Sequence, residues 1–283
     1  MNALRITLLL PAVILLLAGC ASTKPPAKPS PLRVQADRTV ASGHDAFARQ
    51  NWSSAAQLFA HAATTYAALD DPAGQADALH NRAQASQRAG QIDAAIDAYE
   101  AALALNRLAK RNLAVAQNLA GLAQCARAQS KFDLAIESGN EALTLAAESP
   151  AIAATIENDL ALHLLARGNP ADKERIFNLL SSALQRNQRL GNKHGIAAND
   201  LNFGRAHLAF NQLEPAEAQL ARALLEFKEL DDVAGLAQTH EQLAKLYQAS
   251  GDNPRARHHQ AQARDKYAFV KDEAALRRLE AAQ

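Results

Sequence analysis

The stretch AQASQRAGQIDAAIDAYEAA, residues 83–102, decides the fold. It opens on Ala83, breaks at Ala89-Gly90-Gln91, and closes on Ala95 and Ala102, seven residues apart. The same small positions return along the chain. Ala55, Ala95, Ala135, Ile176, Ala216 and Ala256 fall 40 or 41 residues apart, and Ala62, Ala102, Ala142, Ala183, Ala223 and Ala263 follow them by seven. Twelve residues before most of the first series stand Gly43, Ala83, Ala123, Gly204 and Ala244. A fixed period of this length marks a repeat architecture. The early small residue sits in one helix and the later two, seven apart, on one face of the next, so the two helices approach closely.

Turn residues separate the paired helices at Arg49-Gln50-Asn51, Ala89-Gly90-Gln91, Gln129-Ser130-Lys131, Phe210-Asn211-Gln212 and Ser250-Gly251-Asp252. Gly, Asn and Ser suit helix ends and short turns. Bulky residues fill the gaps: Trp52, Ile92, Phe132 and Leu213 after the turn, then Phe59, Tyr99 and Leu220 four residues past the first alanine of the pair. Asp71-Pro72, Ser149-Pro150 and Asn253-Pro254 each place a capping side chain before a Pro suited to a first helical turn. Composition agrees with an all-helical chain. Alanine supplies 66 of the 283 residues and aromatics only 5%, which excludes a sandwich or propeller built on β-branched and aromatic side chains. The net charge of +1 lacks the basic footprint of a nucleic-acid binder.

The pattern of Gly/Ala, Ala and Ala positions resembles the tetratricopeptide repeat. That resemblance implies an all-α, right-handed superhelical solenoid, here of six helical hairpins over residues 37–270. The usual unit has 34 residues. The six extra residues are expected in the connectors between hairpins, as in Leu69-Asp70-Asp71-Pro72-Ala73-Gly74, similar to the long-repeat subgroup of bacterial regulators and kinesin light chains. The fourth unit departs from the pattern. Ala161 follows Ala142 by 19 residues where 21 is the rule, its turn is enlarged as Arg167-Gly168-Asn169-Pro170, and Gly139 stands where a bulky residue packs. Residues 271–283 are expected to extend the last helix as an end cap, which solenoids need.

Residues 1–19 read as a targeting segment: Arg5, then an apolar stretch from Ile6 to Leu17, too short to span a bilayer. Leu17-Ala18-Gly19-Cys20 is similar to the lipobox of bacterial lipoproteins, which implies cleavage before Cys20 and lipidation (palmitate) of its thiol. Ala21 in place of Asp implies delivery to the outer membrane, with the body facing the periplasm. An ordinary secretory signal with a coincidental cysteine is the alternative. Residues 20–36, with Pro25, Pro26, Pro29 and Pro31, read as an extended tether. The other cysteine, Cys125, lies between alanines and reads as a packing residue.

The sequence displays no catalytic motif, no phosphate-binding loop and no metal-ligand spacing, so neither enzymatic activity nor a cofactor is expected. His258-His259 reads as solvated surface, and Asp70-Asp71 and Asp231-Asp232 as helix caps. The resemblance implies instead a binding groove lined by the first helix of each hairpin. Its outward positions are Asp77, His80, Gln84, Gln87 and Arg88 in unit two; Gln117, Ala120, Gln124 and Arg127 in unit three; Leu201, Arg205 and Leu208 in unit five; and Gln238, Glu241, Lys245 and Gln248 in unit six. Asn81 and Asn202 stand two residues before the small position of their units, where relatives use Asn to hold a peptide backbone; an ordinary polar residue on a wet helix face is the alternative that the residues favour. A Lys and Asn clamp for a C-terminal carboxylate is lacking. The expectation is a membrane-anchored scaffold that binds protein or peptide partners in cell-envelope assembly, in layout similar to lipoproteins serving pilus secretins, barrel assembly or cell-wall hydrolases. The alternative is a self-associating homo-oligomer using Phe47, Leu201 and Leu208.

Overall fold

The computed structural model describes residues 30–281. The targeting segment, Cys20 and the tether up to residue 29 lie outside the described residues. Thirteen α-helices follow one another without a strand among the described residues: α1 (Pro31–Ala48), α2 (Trp52–Ala68), α3 (Pro72–Arg88), α4 (Ile92–Leu108), α5 (Asn112–Ala128), α6 (Phe132–Leu145), α7 (Pro150–Arg167), α8 (Lys173–Leu190), α9 (Lys193–Ala209), α10 (Leu213–Glu229), α11 (Val233–Ala249), α12 (Asn253–Phe269) and α13 (Glu273–Ala281). Consecutive helices pack as antiparallel hairpins and stack into an all-α solenoid. Among the described residues no helix is long and apolar enough to cross a membrane.

The small residues stand at the points of closest approach. Ala55, Ala62, Ala95, Ala102, Ala216 and Ala223 have no exposed surface. A Cβ on Gly43 would lie 2.6 Å from the ring of Phe59. Phe59, Tyr99 and Leu220 are buried at the bulky positions between them. Cys125 is fully buried, and burial pushes its thiol up to about 11, in keeping with a packing role.

Three expectations are corrected. The extra residues of each unit do not lengthen the connectors; they lengthen the helices, most of which run 17 residues. Asp71 Oδ1 accepts from the Gly74 N–H at 2.9 Å, so Pro72-Ala73-Gly74 is already the first turn of α3. Asn192 and Asp232 do the same for Gly195 and Gly235, at 3.1 and 2.8 Å. What remains is a short link that turns on one left-handed residue. In the first half these are Gln50, Asp70, Gly90, Lys110 and Ser130, at φ between 51° and 76°. Second, residues 31–36 are not tether. Ser30 Oγ accepts from the Arg33 N–H at 3.1 Å and Pro31 starts α1, which buries Ala36 against α2. Third, the C-terminal tail does not extend α12. Lys271 turns the chain at φ 55° and Asp272 caps a separate helix, α13, through the Ala275 N–H.

The fourth unit is irregular where the spacing says it is. α6 stops after 14 residues, and the link to α7 has no left-handed residue. Length is regained after α7, where Gly168 (φ 73°) and a 3₁₀ turn at Pro170–Asp172 intervene before α8. Arg167 pins that turn, donating to Asp172 at 2.7 Å and Asp133 at 3.1 Å. Leu160 leans from α7 into the space beside Gly139, 3.0 Å from where a Cβ would stand.

The odd-numbered helices α3, α5, α7, α9 and α11 also touch one another in succession, while even-numbered helices make no comparable contact. A stack that is closer on one side curves toward it. The odd helices therefore line the inner face, where the sequence places the groove.

Candidate functional site: the inner face of the stack

Between α3, α5 and α7 the inner face opens into a trough. A hollow of about 550 Å³ has Phe47, Gln87, Arg88, Tyr99, Ile152, Thr155 and Asp159 among its lining. A second, of about 300 Å³, is lined by Asp77, Asn81, Asn106, Ala114 and Asn118. Both share His80, Gln84 and Gln117, so they are two lobes of one trough.

A chain of polar side chains crosses its floor. The Tyr99 hydroxyl donates to Gln87 Oε1 at 3.3 Å, Gln87 Nε2 donates to Gln124 Oε1 at 3.0 Å, and Gln124 Nε2 donates to Asp159 Oδ2 at 2.7 Å. Each amide spends its oxygen on one neighbour and its nitrogen on the next, so the carboxylate at the end must accept. Burial pushes the Asp159 carboxyl up to about 6, against the pull of the Gln124 N–H and the Arg127 charge. The wall between the lobes is His80. Its Nδ1 lies 2.8 Å from Asn118 Oδ1, and since that oxygen accepts, Nδ1 carries the proton and Nε2 a free lone pair. Burial lowers the His80 pKa, which keeps the ring neutral. Asn118 is entirely buried and its Nδ2 has no acceptor. Gly121 keeps the floor low, because a Cβ there would run into the Tyr99 ring.

The structure thus brings together His80, Asn81, Gln84, Gln87, Arg88, Gln117 and Gln124 in one trough. Asp77 sits at its rim and pairs with Arg111 at 2.8 Å. Arg127 is exposed beside it.

The expected groove residues of units five and six are placed differently. Leu201 is 3% exposed in the core formed with Leu220, Phe227 and Leu243, and Leu208 packs against that core. Asn202 is buried with both ends of its amide used, donating to Asn158 at 3.2 Å and accepting from Arg205 at 2.9 Å. Arg205 spends its other nitrogen on Gln238 at 2.9 Å. Glu241 is buried too. It accepts from Lys245 at 3.0 Å, from Tyr267 at 2.7 Å and from Arg278 of α13 at 2.8 Å. Burial pushes the Glu241 carboxyl up, but these donors, Arg278 foremost, outweigh it and hold it at about 2. Leu201 and Glu241 share the register of His80 and Ala120, three residues before the small position. Along the stack that register passes from half-buried to buried as successive inner helices and finally α13 close over it.

Sequence reasoning missed Asp159. It stands two residues before Ala161, the offset that singles out Asn81 and Asn202, and the shortened spacing of the fourth unit hid it. His259 is also not solvated surface: its Nδ1 lies 2.8 Å from His240 Nδ1 and its ring stacks on Tyr247. Among the described residues no group of three or more His, Cys, Asp or Glu is arranged to hold a metal ion.

Residues 74–148, which carry α3 to α6, match the Tetratricopeptide repeat family. No curated protein matches the chain. Among solved structures, Rap Protein complexed with Competence and Sporulation Factor is similar at a TM-score of 0.70, with 14% identity over 88% of this chain and 73% of that one. BtubC (BKLC) from P. vanneervenii is similar at 0.58, with 22% identity over 83% of this chain and 92% of that one. A Podosopora anserina putative kinesin light chain with nearly identical TPR-like repeats is similar at 0.55, with 17% identity over 72% of this chain and all of that one. At these identities the likeness is one of fold.

Proposed function

We propose that this chain is a non-enzymatic scaffold, held at the bacterial outer membrane by a lipid on Cys20, that binds a protein or peptide segment in the trough between α3, α5 and α7. Its setting is cell-envelope assembly on the periplasmic side. The observation that carries the binding role is the trough itself: an amide-rich channel with an unused donor, Asn118 Nδ2, in its floor. A buried donor without a partner costs about 1–3 kcal/mol, which a bound carbonyl would recover. A tetratricopeptide-type solenoid is in general an interaction scaffold, and the similar Rap Protein structure is a complex with Competence and Sporulation Factor. Self-association is the weaker reading, because Leu201 and Leu208 pack into the core.

Two experiments test it. Random peptides displayed against the immobilised full chain should yield sequences that bind it but not Ala120→Trp, which fills the trough. Failure to enrich any, or binding indifferent to Ala120→Trp, contradicts the groove reading. Cys20→Ala should move the protein from the membrane to the soluble fraction; a variant that still pellets contradicts the lipid anchor.

A further inference from the structure

We propose that the occupant of the trough is an extended basic segment, with its main chain on the α3–α5 floor and a lysine or arginine side chain seated on Asp159. This rests on the groove reading above and adds the chemistry of the ligand.

The floor is matched to a peptide unit. Asn118 Nδ2 is a donor without an acceptor, and His80 Nε2 is an acceptor without a donor among the described residues. One backbone carbonyl and one backbone N–H are the complement of that pair. A hydrophobic or purely ionic ligand would leave both unmet.

The basic side chain follows from how this protein treats its other inner-helix carboxylates. Glu157 on α7 holds Arg186 at 3.1 Å, Asp200 on α9 holds Arg222 at 2.6 Å, and Glu241 on α11 holds Arg278 at 2.8 Å. Asp159 alone among these inner-helix carboxylates has no ion-pair partner. Its Oδ2 takes the Gln124 N–H, and its Oδ1 receives no hydrogen bond from any described residue. The Tyr99–Gln87–Gln124 chain fixes which oxygen is used and leaves the other to the lobe. A cation placed there does for Asp159 what Arg186 does for Glu157.

Other charges face the same space. Arg88 comes from α3 and Arg127 from α5. His163, one turn along α7, is fully buried and, with its pKa lowered to about 4 by burial and by Arg127, stays neutral. The two arginines make an acidic ligand the rival outcome. Against it stand the direction of the amide chain and the exposure of both guanidinium groups, which water already solvates.

The test uses three fluorescein-labelled peptides of one Gly/Ser/Asn frame with Lys, Gln or Glu at the centre, titrated against the full chain by anisotropy. The Lys peptide should bind about tenfold tighter than the Gln peptide and the Glu peptide weakest of all. The Lys advantage should grow as pH rises through 6, where Asp159 ionises. Asp159→Asn should erase the difference between Lys and Gln. Preference for the Glu peptide, or a Lys preference that survives Asp159→Asn, overturns the proposal. If displayed peptides that bind the trough carry no basic residue, the proposal falls and the groove reading stands. If no peptide binds at all, both fall.

Discussion

The inner helices of the first half, α3, α5 and α7, and those of the second, α9 and α11, follow one repeating pattern and use their polar side chains in opposite ways. On the inner helices of the second half the buried carboxylates are answered from within the chain. Asp200 has Arg222, and Glu241 has Lys245, Tyr267 and Arg278. In the first half the amides point into a trough, Asn118 keeps an unused donor, and Asp159 sits half-buried without a cation. Glu241 and Asp159 titrate in opposite directions, although burial raises Asp200 as well despite Arg222. Glu241 is held down at about 2, so its ionised form stabilises the fold, whereas Asp159 is pushed up to about 6, so its ionised form opposes it. Complete pairing is what a structural cap needs. Incomplete pairing beside an open trough is what the proposed ligand would complete.

The largest expected break in this contrast is Glu241→Gln. It removes the charge that three donors converge on and should lower stability by about 3 kcal/mol at neutral pH, read from urea unfolding. The parent should show the same dependence on acid. Because the folded pKa lies below the ordinary carboxylate value of 4.5, this stabilisation is complete above that pH and disappears as pH falls toward 2. Next comes Gly121→Ala. Its Cβ displaces the Tyr99 ring and breaks the Tyr99–Gln87 bond, for an expected loss of about 2 kcal/mol in a thermal melt.

Asp159→Asn should act the other way. Folded Asp159 binds its proton more tightly than unfolded Asp, so its ionisation lowers stability as pH rises from 3.8 to 6. The asparagine variant should therefore be about 1–2 kcal/mol more stable than the parent at pH 7 and no more stable near pH 4. Unfolding curves at the two pH values check this. The smallest effect belongs to the links. Lys110 (φ 54°) and Lys271 (φ 55°) occupy left-handed positions that favour glycine. Replacing either by Gly should add about 1 kcal/mol in both halves alike, because the links are common to both. A gain in one half alone would show that the links are not equivalent.

The hairpins were legible because close packing of two helices demands small side chains at fixed points, and Ala95, Ala102 and Ala83 with their counterparts supply them. Helix length was less legible. Leu69 to Gly74 looks like a connector, since Asp-Pro-Ala-Gly suits a turn, yet the Asp71 side chain turns its second half into helix. The start at Pro31 was hidden for a related reason: the four prolines of residues 25–31 read as one extended segment, although Ser30-Pro31 is itself a helix start. The offsets of units two and three lead to side chains that share one trough, where no further helix covers them. The same offsets failed at Leu201, Asn202 and Glu241, because whether an outward position stays open depends on how the neighbouring helices and α13 close over it. Asp159 escaped notice because the fourth unit is two residues short before it.

Thermal unfolding of Asp159→Asn and Glu241→Gln side by side at pH 7 tests the contrast most directly. The two substitutions remove one charge each from inner-face carboxylates and change the side chain by the same single group. A raised Tm for Asp159→Asn together with a lowered Tm for Glu241→Gln is the predicted result. A lowered Tm for Asp159→Asn comparable to that of Glu241→Gln would mean that Asp159 is already paired within the fold, and would contradict a trough held open for a partner.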